Sequence, residues 1–196
     1  MQNKKYQIIY ADPPWQYKRK AGQGIASDHY PTMSLQEICN LPVGNLADKN
    51  CALFLWVTFP QLREGLSVIQ AWGFQYKTVA FVWVKQNKKA DTLFLGLGHW
   101  TRSNAEICLL ATRGTIRRKS AYVRQIILSH IEKHSKKPDE ARDRIVELIG
   151  DVPRIELFAR QATPGWDVWG NEIQSDIEMK SEEEIELLSL LVMYQE

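Results

Sequence analysis

Residues 51–57 read CALFLWV, seven apolar residues in a row without polar alternation. A strand with one wet face alternates apolar and polar side chains, so an unbroken run of this kind belongs to a strand covered on both faces. It demands a sheet with helices on either side. Residues 6–11, 79–84, 106–112 and 154–159 are further short apolar runs that read as strands, and 123–131 fits either a strand or a helix. Helix signals fall between them. Ser34 and Glu37 form a capping box that opens a short helix ending near Leu41-Pro42. Pro60 opens a second helix, with Leu62, Leu66, Ile69 and Trp72 at helical spacing and Gly73 as its terminator. Lys137-Pro138-Asp139-Glu140 opens a third, with Pro at the first helical position, acids in the first turn, Ile145, Leu148 and Ile149 facing inward, and Gly150 as the stop. This alternation predicts an α/β fold, a single doubly wound sheet, over residues 1–174.

Residues 175–196 differ from the rest. Ser181 and Glu184 form another capping box, ahead of an apolar stripe of Ile185, Leu188, Leu191 and Val192. An acidic amphipathic helix is expected there, its stripe either closing on the domain's own sheet or forming a homodimer contact. The net charge of +2 hides this division: residues 175–196 carry seven acids and one base, and residues 1–174 carry 24 bases and 16 acids. A basic body suits a nucleic-acid partner. The alternative is a solvated surface with a chance asymmetry.

No apolar stretch approaches the roughly 18 residues of a membrane helix. The amino terminus runs directly into a strand, so neither a membrane span nor a signal peptide is expected. Cys39, Cys51 and Cys108 are scattered, with no CxxC pair, which indicates neither a disulfide framework nor a zinc site and makes a reducing cytoplasm the expected location. His130 and His134 are four apart, but Glu132 stands at the wrong offset for a zinc-protease motif, and no metal site is expected. There is no G-x-G-x-x-G, P-loop or G-x-S-x-G.

Chemistry concentrates in Asp12-Pro13-Pro14-Trp15, which follows the first strand. The carboxyl edge of a parallel sheet is where open α/β folds bind ligands. Proline has a fixed φ and restricts the residue before it. The Asp12 carboxylate and a main-chain carbonyl are thereby held as neighbouring acceptors, with the Trp15 ring beside them. Two acceptors and a flat apolar face suit a planar ring with an exocyclic amine, adenine or cytosine. The competing reading is an Asp-Pro turn that ends a strand and leaves Trp15 in the core. Two long loops, 16–33 and 86–103, are of a length usually reserved for function. The first carries Lys18, Arg19 and Lys20, and the segment 113–124 carries Arg117, Arg118 and Lys119. Both are expected to track phosphates; for the second, an exposed hairpin is the alternative.

In order along the chain stand IIYADPPW (8–15), YPTMS (30–34), FLWV (54–57), VWVK (82–85), GHW (98–100), EICLLATRG (106–114), KKPDE (136–140), RIELFAR (154–160) and WGNE (169–172). These motifs resemble the N6-adenine methyltransferases with a D-P-P-W motif, whose members methylate messenger RNA in eukaryotes and DNA in bacteria and phages. The resemblance implies a Rossmann-like, S-adenosylmethionine-dependent methyltransferase fold in permuted order, with a mixed sheet and much of the cofactor site late in the chain. It implies adenine methylation at Asp12, Pro13, Pro14 and Trp15. It puts cofactor contacts at Asp12, Lys137, Glu156, Arg160, Gln161, Asn171 and Glu172, and substrate contacts at Trp15, Tyr30 and Glu106. The chain departs from the family where Gln161-Ala162 follows the matched arginine and where Glu172 stands for a glutamine of some members. DNA is favoured over RNA as the substrate, because no appended RNA-binding or zinc-finger segment is visible. The alternatives are an RNA adenosine methyltransferase, a non-catalytic partner that presents nucleic acid, and a methyltransferase for a metabolite or protein side chain.

Overall fold

A computed structural model describes residues 4–16, 31–98, 100–132 and 136–179. Strands β1 (Tyr6–Ala11), β2 (Ala47–Val57), β3 (Gln75–Asn87), β4 (Ala90–Leu93), β5 (Ala105–Arg113), β6 (Ile126–His130), β7 (Arg154–Leu157) and β8 (Asp167–Trp169) form one sheet. Its order is β4-β3-β5-β2-β1-β7-β8, with β6 paired to β3. The pairs β1–β2, β1–β7, β7–β8 and β3–β6 are parallel; β5 runs antiparallel to both β2 and β3. The mixed α/β sheet expected from the sequence is thus present, and the run 51–57 lies in β2 at its centre, every residue buried.

Helices cover both faces. Ile38 of α1 (Leu35–Asn40) and Val68 and Ile69 of α2 (Leu62–Ala71) pack with Ile9, Leu53, Leu55 and Leu109. On the other face Ala141, Ile145 and Ile149 of α3 (Glu140–Ile149) pack with Ile8, Tyr10, Phe54 and Trp56. Strand alternation delivers successive residues of β1 and β2 to the two faces in turn. The capping box at Ser34 forms as expected, the Glu37 carboxylate accepting from the Ser34 backbone N–H at 2.7 Å.

Four sequence expectations need correction. The buried face of α2 is Gly65, Val68, Ile69 and Trp72, while Leu62 and Leu66 are 37% and 39% exposed. Gly65 sets that rotation, because a Cβ there would lie 2.5 Å from Val57 Cγ1. The ambiguous stretch 123–131 is strand from Ile126 to His130, paired with β3. The loop 86–103 contains β4, hairpinned onto the end of β3. Pro138 lies one residue before the N-cap Asp139 rather than inside α3. The terminal helix expected from Ser181 onward lies outside the described residues. The segment before it continues the sheet's packing: Asp176 accepts from the Val168 N–H at 2.8 Å, and Ile177 and Met179 pack against the core. No helix among the described residues is long and apolar enough to cross a membrane.

Candidate active site

The carboxyl ends of the parallel strands β1, β2 and β7 meet at one edge. Because β5 is antiparallel, its amino end arrives at the same edge, bringing Glu106. The segment ahead of α3 brings Lys137. A cleft there is lined by Asp12, Pro13, Pro14, Trp15, Trp56, Val57, Thr58, Glu106, Lys137 and Arg160.

The tetrapeptide is held rigidly. The Trp15 N–H donates to the Pro13 carbonyl at 2.9 Å, closing a three-residue turn centred on Pro14. Proline's fixed φ suits that turn. The Pro14 carbonyl accepts from the Met33 N–H at 2.9 Å, and the Gln16 N–H donates to the Met33 carbonyl at 3.1 Å. These contacts tie together the described residues on either side of segment 17–30. That segment, with Lys18, Arg19, Lys20 and Tyr30, lies outside the described residues.

Asp12 ends a charged chain that runs through Lys137 and Glu106 to Lys85. Lys137 Nζ donates to Asp12 Oδ2 at 2.7 Å and lies 3.3 Å from Glu106 Oε2. The other Glu106 oxygen pairs with Lys85. Burial raises the Asp12 pKa above its ordinary value, and Lys137 offsets this only in part. Burial also acts to raise Glu106, but Lys137 and Lys85 outweigh it and hold that carboxyl below its ordinary value. Burial disfavours the Lys137 charge, yet Asp12 and Glu106 prevail and keep its pKa raised.

The structure divides the expected site residues. Asp12, Pro13, Pro14, Glu106, Lys137 and Arg160 come together. Gln161, Asn171 and Glu172 are exposed beside them: the Ala159 N–H donates to the Trp169 carbonyl at 3.0 Å, and Glu172 pairs with Arg160 at 3.5 Å. A Cβ on Gly170 would lie 2.1 Å from the Ala159 carbonyl oxygen, so only glycine lets these two segments approach so closely.

Three expectations change. Trp15 is only 5% exposed and packs in the core, its Nε1–H donating to the Trp56 carbonyl at 3.1 Å. Of the two positions the sequence left open for Trp15, a stacking face or the core, the ring is buried in the core, while the residue also lines the cleft. Glu156 faces Arg142, whose guanidinium donates to both its oxygens at 2.7 and 2.8 Å, so the carboxylate is engaged inside the protein rather than presented at the rim. Arg117, Arg118 and Lys119 are exposed but lie at the opposite edge of the sheet. They follow Arg113, which pairs with Cys51 at the far end of β2, and the Lys119 N–H donates to the Leu148 carbonyl at 2.7 Å, at the far end of α3. Seven residue steps along β5 take the chain from Glu106 to Arg113, roughly 23 Å at strand rise.

Sequence reading also missed residues. Lys85 was legible only as a lysine that ends an apolar run. Arg142 stands on the inward face of α3 between Ala141 and Ile145, which was its signal. Phe158 takes φ 63°, a strained value for a bulky residue, and no sequence pattern announces it. That turn carries the chain out of β7 toward Arg160, with the Phe158 ring 5.4 Å from Trp169.

With this geometry in view, comparison with known proteins is decisive. The MT-A70 family model matches residues 6–172. The chain belongs to the MT-A70 family. It is 38% identical to the Type II methyltransferase M.MunI of Mycoplasma sp over 204 residues, covering 93% of this chain and 84% of that protein. It is 31% identical to the putative N(6)-adenosine-methyltransferase MT-A70-like of Medicago truncatula, over 86% of this chain and 26% of that protein. With the human N(6)-adenosine-methyltransferase catalytic subunit METTL3 it shares 29% identity, over 86% of this chain and 28% of that protein. Among the described residues no cluster of His, Cys, Asp and Glu could hold a metal ion.

Proposed function

We propose that this protein is an S-adenosylmethionine-dependent methyltransferase that acts on the exocyclic N6 amine of adenine in DNA. The observation that carries the reading is that Asp12 and Pro13 line one cleft at the ligand-binding edge of an MT-A70 sheet. DNA is favoured because the relative named as a Type II methyltransferase matches over most of both chains, whereas the adenosine methyltransferases extend far beyond the matched part.

The residues fit the cofactor's chemistry. S-adenosylmethionine presents a carboxylate, an ammonium, a ribose diol and an adenine edge. Arg160 and Lys137 are cations for the first, Asp12 is an anion for the second, and Asn171, Glu172 and Gln161 offer polar groups at the rim for the others. Bound there, the cofactor supplies an electrophilic methyl group. The protein's own part is to hold the amine. Its lone pair is delocalised into the purine ring, so it is a weak nucleophile. Hydrogen bonds from its protons to Asp12 and to the Pro13 carbonyl favour a more tetrahedral nitrogen and stabilise the charge that develops on it. The Pro13 carbonyl already accepts from Trp15, but a carbonyl oxygen has two lone pairs. The raised pKa of Asp12 makes it a better acceptor for the proton the nitrogen must lose. Lys137 must yield some of its hold on Asp12, and Glu106 is a second anion within reach. In a duplex the adenine is first flipped out of the stack. Lys18, Arg19 and Lys20 are proposed as phosphate contacts, and Tyr30 as a stacking partner.

The test supplies a labelled methyl donor to mixed DNA and RNA and maps the modified adenines. N6-methyladenine in DNA is the expected product. Label in RNA alone moves the reading to the RNA class, and label in neither overturns it. Asp12→Ala is expected to lose transfer while the protein stays folded.

A further inference from the structure

We propose that Lys85 is a positioning residue for the Asp12 centre: its ammonium holds the Glu106 carboxylate turned toward Lys137, so that Lys137 has a second anion to lean on when Asp12 takes up an amine. This rests on the reading of the cleft as an adenine site.

Lys85 is fixed from several sides. Its backbone N–H donates to the Asn104 carbonyl at 2.8 Å, and its carbonyl accepts from the Phe94 N–H at 2.8 Å. Its ammonium stands 4.8 Å from the centre of the Trp83 ring and pairs with Glu106 Oε1. Both side chains are largely out of solvent, at 18% and 15% exposure. Pairs of this burial are screened little by salt and interact more strongly than surface pairs. With Oε1 anchored on Lys85, Oε2 is the oxygen turned to Lys137, at 3.3 Å. One carboxylate thus bridges two ammonium groups, and Lys137 in turn bridges two carboxylates.

The chain Lys85–Glu106–Lys137–Asp12 has a functional consequence. As found, Lys137 binds Asp12 at 2.7 Å, and so competes with any amine for that carboxylate. The competition is relieved if Lys137 shifts weight to Glu106, which keeps it beside a counter-charge. Glu106 serves that purpose while it is ionised. The charged groups around it are Lys85 from β3, Lys137 from ahead of α3, Asp12 from the end of β1 and, lining the same cleft beyond β7, Arg160. Remove Lys85, and Lys137 alone opposes burial and the negative charge of Asp12, so the proton affinity of Glu106 rises and its second oxygen is no longer held turned to Lys137. The hold of Glu106 on Lys137 would weaken, and Lys137 would stay closer to Asp12.

The experiment compares wild type, Lys85→Met and Lys85→Arg in two measurements. The first is the carboxyl titration of Glu106, followed by NMR with a carbon label. The second is kcat and KM for methyl transfer to DNA across pH, on protein whose thermal melt shows it folded. Lys85→Met is expected to move the Glu106 titration upward, to lower kcat about tenfold or more with little change in KM, and to shift the acid limb of kcat upward. Lys85→Arg keeps the charge and is expected to stay near wild type in both measurements, which also carries the test should Lys85→Met fail to fold. An unchanged Glu106 titration in Lys85→Met overturns the inference, as does a moved titration with unchanged kcat and acid limb. A Lys85→Arg protein that loses kcat while Glu106 titrates normally overturns it too. If the titration responds but wild type methylates neither DNA nor RNA, the clamp on Glu106 stands and the functional reading falls.

Discussion

Asp12 and Glu106 are two carboxylates in one cleft with opposite proton affinities. Burial dominates at Asp12; at Glu106 two lysines overcome it. The difference is testable through stability. A carboxyl whose folded pKa lies below its unfolded value binds fewer protons in the native state, so it contributes stability above the ordinary Glu value of 4.5 and loses it as pH falls through the depressed native value. Wild type is therefore expected to exceed Glu106→Gln in unfolding free energy at neutral pH, with the gap closing below pH 4.5. Urea titrations at several pH values measure it; a gap that widens on acidification would refute the assignment. Asp12 and Lys137 were legible in the sequence because each sits in a compact motif, DPPW or KPDE, although 125 residues separate them. For Trp15 the sequence left a stacking face and a core position both open. Its four-residue motif says nothing of the Trp56 carbonyl that its ring nitrogen reaches from another strand.

At the scale of elements, β7 and α3 are joined by Arg142, which pairs with Glu156 on the strand and with Asp139 at 2.7 Å in the helix's first turn. Lys137 lies just ahead of that turn, so this junction sets the approach of the cleft's central cation. A buried carboxylate stripped of its partner is costly, whereas replacing both partners by apolar residues is often neutral. Arg142→Met is expected to destabilise the protein by about 3–5 kcal/mol, and Arg142→Met with Glu156→Met to recover most of that loss in denaturant unfolding. A double variant no more stable than the single one would refute the account. Helical spacing marks Arg142 as inward-facing, but the pair was not legible because nothing local states which strand faces it. The basic segment 113–124 illustrates the same limit. Its composition was plain, but only the antiparallel direction of β5 determines that it emerges at the edge away from Asp12. The covered central strand and the alternation of elements were legible because they are properties of the chain's own periodicity.

For the whole molecule, the balance of charge matters more than its total. Residues 180–196 carry five acids and one base, so the chain without them has a net charge of +6 in place of +2. Nucleic-acid binding rests largely on release of counterions from phosphates and weakens steeply with salt. The tail's acids oppose that attraction only through a field that salt screens, with a Debye length near 10 Å at about 0.1 M. Asp176 is tied to the Val168 backbone, so a cut after Met179 leaves that contact in place. Protein ending at Met179 is expected to bind DNA more tightly than full-length protein at roughly 0.05 M salt and equally at roughly 0.5 M, where the Debye length is only a few ångströms. Fluorescence anisotropy with one labelled duplex across that range gives both slopes. Parallel lines would mean that the tail acts through a contact rather than through its charge, and identical lines that the basic body binds without sensing it.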